Sequence, residues 1–358
     1  MAKKKRIEII DVAKCLAIFM VVLGHTATNE ELLGNPAILY KIIYSIHMPL
    51  FFFLTGMSIK PKPLKTLGEW RFFLRKNVLT IALPFMIWSL IYCQFSFDNV
   101  KYILYGSWQA LGKTGTVTSL WYLSCLFIAR IIVELVVMLM AKFNTENNRI
   151  IYLVPAIILL LIGSLIPSPP LGYPWGMNVA ILASGFILLG IALRTSLIIM
   201  AVEKGWIMIT VLIVSICLYA LTISLRTDGF EILMMCKGSY GDLIPMFACS
   251  IIGGFIVMLV SMILKRAANE WLNNVSIEPL LYMGAHTMGI FLLHKPILQN
   301  ILIPLFEKTI PDVLYLPKIM ASIAAIAISL ILCHFIEYYI PELIGIFSKD
   351  KIQGENHD

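Results

Sequence analysis

The chain is 358 residues long, 59% hydrophobic and only 14% charged, with a mean hydropathy of +0.86. That balance excludes an ordinary soluble domain and defines an integral membrane protein. The formal charge of +7 comes largely from basic residues between apolar segments, a topogenic signal that implies no nucleic-acid partner.

Crossing a bilayer as a helix takes about 20 mostly apolar residues. About ten segments near that length follow one another, at 7–27, 38–59, 78–96, 120–141, 150–166, 177–194, 206–225, 243–264, 282–302 and 318–340. The expectation is an all-α, polytopic protein lying in a lipid bilayer. No stretch resembles a soluble domain, so residues 1–347 read as one membrane domain and residues 348–358 as a short polar tail. No convincing internal repeat is present.

The first segment follows Lys3-Lys4-Lys5-Arg6 and resembles a signal peptide in its flanks. Its length, its charges and its weak small-residue site at Thr26-Ala27-Thr28 favour a retained span. It carries Asp11, Lys14 and His25. At about 100° per residue a helix places Lys14 within roughly 20° of His25 and Asp11 roughly 40° from it, so the three share one face. Charge inside lipid is costly, and an aligned set points to function. Asp11 and Lys14 can instead neutralise each other at i, i+3.

The second segment contains Ser45-Ile46-His47-Met48-Pro49. With the N-terminus inside, His25 and His47 fall at a similar depth near the outer side, and Lys14 lies in the inner half, roughly 16 Å below His25. A histidine there can act as a general base, or it can be a structural residue bonded to nearby backbone. The next inner loop carries Lys60, Lys62, Lys65, Arg71, Arg75 and Lys76. Arginine forks suit phosphate, so a nucleotide-bearing cofactor can dock there, although positive-inside bias accounts for the same charges.

The fourth segment opens on Trp121-Tyr122 and has Arg130 about halfway along, too deep to snorkel and therefore expected to pair inside the protein. The loop Pro167–Trp175 reads as a stiff interfacial connection whose rings can also stack on a sugar. His294 lies mid-membrane beside the helix-disturbing Pro296, either as a satisfied structural histidine or as a pocket residue. There is no Cys-x-x-Cys, so neither a disulfide framework nor a zinc or other metal site is expected. With the N-terminus inside, inner segments hold 18 Lys and Arg and outer loops 7, which predicts that both termini are cytoplasmic.

Taken together, these motifs resemble the integral-membrane acyltransferase family 3, especially its fucose 4-O-acetylase-like branch. The resemblance rests on Asp11-Val12-Ala13-Lys14 with Gly24-His25, His47-Met48-Pro49 running to Gly56, Arg75 to Pro84, Leu120-Trp121-Tyr122-Leu123, Phe186 to Gly190 and Thr287 to His294. It implies transfer of an acyl group, usually acetyl, from cytoplasmic acetyl-CoA or another acyl-CoA to a carbohydrate hydroxyl of a cell-surface or lipid-linked glycan at a bacterial inner membrane. The family's catalytic histidine falls on His25 and its basic position on Lys14, where many members carry arginine; its basic cluster falls on Arg71, Arg75 and Lys76. In this scheme His25 acts as base or as acyl-accepting nucleophile, and His47 or a backbone donor stabilises the oxyanion. Asp11, Lys14, Arg71, Arg75 and Lys76 hold the acyl donor, and Trp121, Tyr122, Arg130 and His294 line the pocket. A glycan exporter without acyl transfer is the competing function, and it requires an aqueous path open alternately to each side.

Overall fold

The computed structural model describes residues 7–27, 37–114, 118–143, 148–200, 204–227, 232–271, 275–311, 313–348 and 351–352. The described residues are helical throughout, apart from turns and a β-bridge between Met234 and Ser239. Helices α1 (Glu8–Gly24) and α2 (Ile38–Ser58) are followed by α3 (Leu67–Asn77), which passes through a π-helical turn into α4 (Leu83–Tyr92). Then come α5 (Phe97–Tyr105), α6 (Trp108–Gly112), α7 (Trp121–Ala141), α8 (Leu153–Leu165), α9 (Met177–Met200), α10 (Gly205–Ser224) and α11 (Leu243–Arg266). The series closes with α12 (Glu278–Ala285), α13 (Thr287–Ile297), α14 (Ile303–Thr309) and α15 (Leu316–Tyr339).

Among the described residues, eight helices are long and apolar enough to cross a membrane. The expectation of about ten differs by two elements. α1 has 17 residues and carries Glu8, Asp11 and Lys14, and Arg149–Leu165 is apolar but short.

Two boundaries also move. The third segment begins as a helix at Leu67, well before residue 78, because Thr66 accepts from the Glu69 amide while the Glu69 carboxylate accepts from the Thr66 amide. Arg71, Arg75 and Lys76 therefore lie on a helix rather than in a loop. The segment expected at 282–302 is broken at His286, continues as α13, and passes through a π turn at Leu298–Leu302. Pro296 and Pro304 flank that turn, and each removes an amide from the helical ladder.

The chain divides into two compact units, Met1–Ser58 with Leu193–Leu233 and Tyr240–Leu330, and Ile59–Ala192 with Met234–Ser239 and Ile331–Asp358. In the first, α1, α2, α10 and α11 share a core of Ala13, Ala17, Ile46, Leu50, Leu54, Met208, Cys249 and Met258. Small residues set the closest approaches, as expected where helices associate by packing in lipid. A Cβ on Gly284 of α12 would collide with the backbone of Asp11, so α12 lies directly against α1. In the second unit, Ala156, Leu160 and Gly163 form the buried stripe of α8, and Gly163 and Gly185 bring it against α9. Val154, Ile157, Leu161 and Leu165 on the rest of α8 are exposed, as suits a surface facing lipid.

Candidate active site

α1 ends where Gly24 packs on Ile43 and Tyr44 of α2, leaving His25 as its C-cap. The His25 amide still bonds back into the helix, to Val21 O at 3.1 Å. Its half-buried ring lies 5.3 Å, centroid to centroid, from the ring of His294, tilted by 30°. Gln299 Nε2 donates to the His25 carbonyl at 3.2 Å, so the π turn after α13 also holds the end of α1. His47, His294 and Lys295 all lie within electrostatic reach of His25. Tyr44 sits between His47 and the end of α1: its ring is 5.0 Å from that of His47, edge-on, and its hydroxyl donates to Gly24 O at 3.4 Å.

His47 and His294 share a local design. Each stands two residues before a proline inside a helix, in His47-Met48-Pro49 and His294-Lys295-Pro296. Each directs Nδ1 at the carbonyl four residues back, Ile43 O at 2.7 Å and Ile290 O at 2.9 Å. A carbonyl only accepts, so the hydrogen is on Nδ1 and the neutral ring offers a bare lone pair at Nε2. Both rings are buried, His294 completely, and among the described residues its Nε2 has no hydrogen-bond partner. These two rings are thus acceptors as neutral groups. His47 can stabilise an oxyanion only as an imidazolium.

Lower on α1, Lys14 Nζ lies 4.0 Å from Asp11 Oδ1, so the i, i+3 pair forms at the outer limit of an ion pair. Asp11 is 8% exposed and its backbone is covered by Gly284. Asp11, Lys14, His25, His47 and His294 all belong to the first unit.

The other expected site residues belong to the second unit. Arg71, Arg75 and Lys76 are exposed on α3, Arg71 and Arg75 one turn apart. Arg75 Nε donates to Lys351 O at 3.2 Å. Trp121 and Tyr122 are buried at the start of α7 with their rings edge to face, 6.4 Å apart. Arg130 lies over the Phe73 ring at 6.0 Å, with Glu134 one turn further along α7 within electrostatic reach. Glu134 also accepts a hydrogen bond from the Leu64 amide, which ties the segment before α3 to α7. The loop carrying Trp175 is anchored as well, its indole donating to Leu104 O at 2.9 Å between the rings of Phe85 and Phe127.

Sequence reasoning missed Tyr44, Lys295, Gln299 and Glu134. The signal for Glu134 was present as Arg-x-x-x-Glu on one helix. The first three are brought to His25 by tertiary packing, although the repeated His-x-Pro marks the turns concerned. Among the described residues, no group of three or more His, Cys, Asp or Glu side chains could hold a metal ion.

A polytopic all-α membrane protein with a cluster of imidazoles where its first helix ends is suited to moving protons within a membrane-embedded site. The chain belongs to acyltransferase family 3, whose model, described as an acyltransferase domain, matches residues 7–338. Membership over nearly the whole chain makes it a membrane-embedded protein of an acyl-transferring family, with an acyl-CoA-type co-substrate. No curated protein matches it, and no solved structure does.

Proposed function

We propose that the protein is an O-acyltransferase that moves an acetyl or similar acyl group from cytoplasmic acyl-CoA to a carbohydrate hydroxyl of a cell-surface or lipid-linked glycan. It does so in a bacterial inner membrane, with both termini cytoplasmic and α1 and the Arg149–Leu165 helix completing ten spans. Residues 1–347 form the transferase domain and 348–358 a cytoplasmic tail. One observation carries the chemistry: in a chain of an acyltransferase family, the half-buried His25 ring adjoins a buried imidazole that offers only a lone pair.

In this mechanism His25 takes the proton of the acceptor hydroxyl as its oxygen attacks the thioester carbonyl. The C–O bond forms, the C–S bond breaks, and the departing sulfur takes the proton from His25. His294, placed against His25, orients the ring that does this work. His47, when protonated, or a backbone amide meets the oxyanion. Arg71, Arg75 and Lys76 receive the nucleotide phosphates of the donor. Lys14, oriented by Asp11, contributes a cation on the inner side, and Trp121, Tyr122 and Arg130 of the second unit are assigned as pocket-lining residues.

The test is turnover of radiolabelled acetyl-CoA by the purified protein with and without a glycan acceptor. His25→Ala is expected to lower transfer by roughly 10²–10⁴-fold, with normal recovery from the membrane fraction. Transfer at the wild-type rate in that variant would overturn the proposal.

A further inference from the structure

The turn of α2 that carries His47 is opened by Pro49. Proline has no amide hydrogen, so the carbonyl four residues back, Ser45 O, loses its helical donor. In a bilayer no water replaces that donor, and the carbonyl must be satisfied from within the protein. Ser250 of α11 does this, with Oγ 2.9 Å from Ser45 O.

A second helix holds the same residue. The Ser45 hydroxyl donates to Ile42 O at 2.8 Å, which uses its one hydrogen. At its 2.7 Å contact with Tyr219 of α10, the tyrosine is therefore the donor. Ser45, Ser250 and Tyr219 are all buried. The approach depends on Gly253, one turn beyond Ser250: a Cβ there would collide with Ile46 and come within 3.3 Å of the Tyr219 ring.

His47 lies two residues beyond Ser45, and its Nδ1 donates to Ile43 in the same turn. The carbonyls of Ile42, Ile43 and Ser45 are thus engaged by Ser45, His47 and Ser250, and the direction of the imidazole follows from how that turn is fixed. We propose that Ser250 and Tyr219 are positioning residues for His47, a two-point clamp from two helices on a turn that Pro49 has opened. Ordinary interhelical adhesion would contribute only stability. The clamp sets the aim of one ring. This rests on placing His47 in the acyl-transfer site.

The test uses the full-length protein in nanodiscs, with three measurements on Ser250→Ala, Tyr219→Phe and Ser250→Thr. The first is acetyl-CoA turnover, the second the thermal midpoint, and the third the rate at which diethyl pyrocarbonate modifies each histidine, read by peptide mass spectrometry. Ser250→Ala and Tyr219→Phe are expected to lower kcat roughly 10- to 100-fold. The acetyl-CoA KM stays within about twofold, and the modification rate changes selectively at His47. Ser250→Thr keeps the hydroxyl and restores kcat. Pro49→Ala returns an amide to the Ser45 carbonyl, so Ser250→Ala is expected to change the His47 rate no further in that background. An unchanged His47 rate in Ser250→Ala, a uniform rise at every histidine that follows the thermal midpoint, or additive effects with Pro49→Ala would each overturn the proposal. If the wild-type protein turns over no acetyl-CoA, the transferase assignment fails, while the modification rates and the Pro49 cycle still decide the clamp.

Discussion

His294 is the residue at which stability and function are expected to part. Its Nε2 is buried without a hydrogen-bond partner among the described residues, an arrangement that costs free energy without lending any. His294→Leu should therefore raise the thermal midpoint or leave it unchanged while kcat falls by roughly 10²-fold or more. A drop in stability with activity retained would return His294 to a structural role. Asp11 and Lys14 behave differently, since each relieves the other. Lys14→Met should cost about 1–3 kcal/mol by leaving the buried Asp11 carboxylate without its cation. Adding Asp11→Asn should recover the stability, and only the raised acyl-CoA KM should persist if Lys14 meets the donor. The Asp11–Lys14 pair was legible from spacing because both partners lie on one helix. The His25–His294 pair was not, since nothing local links positions 25 and 294.

Among the elements, α1 and α12 show how far a helix contact can depend on one missing methyl. Gly284→Ala would drive a Cβ into the Asp11 backbone, which cannot rotate away as a side chain would. The cost is expected at or above about 3 kcal/mol, the upper end of the range typical for overpacking, measured as a lower unfolding midpoint in detergent. α3 marks where hydropathy misleads. Glu69, Arg71, Arg75 and Lys76 depress the apolar average and make residues 60–77 look like a loop, yet the Thr66-x-x-Glu69 capping box was readable. The break at His286 and the π turn at Leu298–Leu302 left a weaker trace, the prolines at 296 and 304, because a π turn arises from how a helix accommodates its neighbours rather than from propensity.

For the whole molecule, composition sufficed to establish a polytopic all-α membrane protein, since no soluble arrangement buries this much apolar surface. The number of crossings was less legible, because α1 carries three charges and α8 is cut short by a 3₁₀ turn. The proposed orientation rests on loop charge and has a direct test. In a cysteine-depleted background, Arg71→Cys is expected to react with an impermeant maleimide only from the cytoplasmic side. Lys237→Cys should react only from the opposite side. The reverse pattern would place His25 on the wrong face for an external acceptor.

The two His-x-Pro turns also bear on energy coupling. As neutral groups His47 and His294 are proton acceptors, and in the proposed mechanism the hydrogen taken from the acceptor hydroxyl passes through His25 and departs on the CoA thiol. On that proposal each cycle would exchange one acyl group moving outward for one hydrogen moving inward, and no net charge would cross the bilayer. Transfer in sealed vesicles is accordingly expected to be flat against an imposed membrane potential. A steep voltage dependence would mean that the proton leaves by another route.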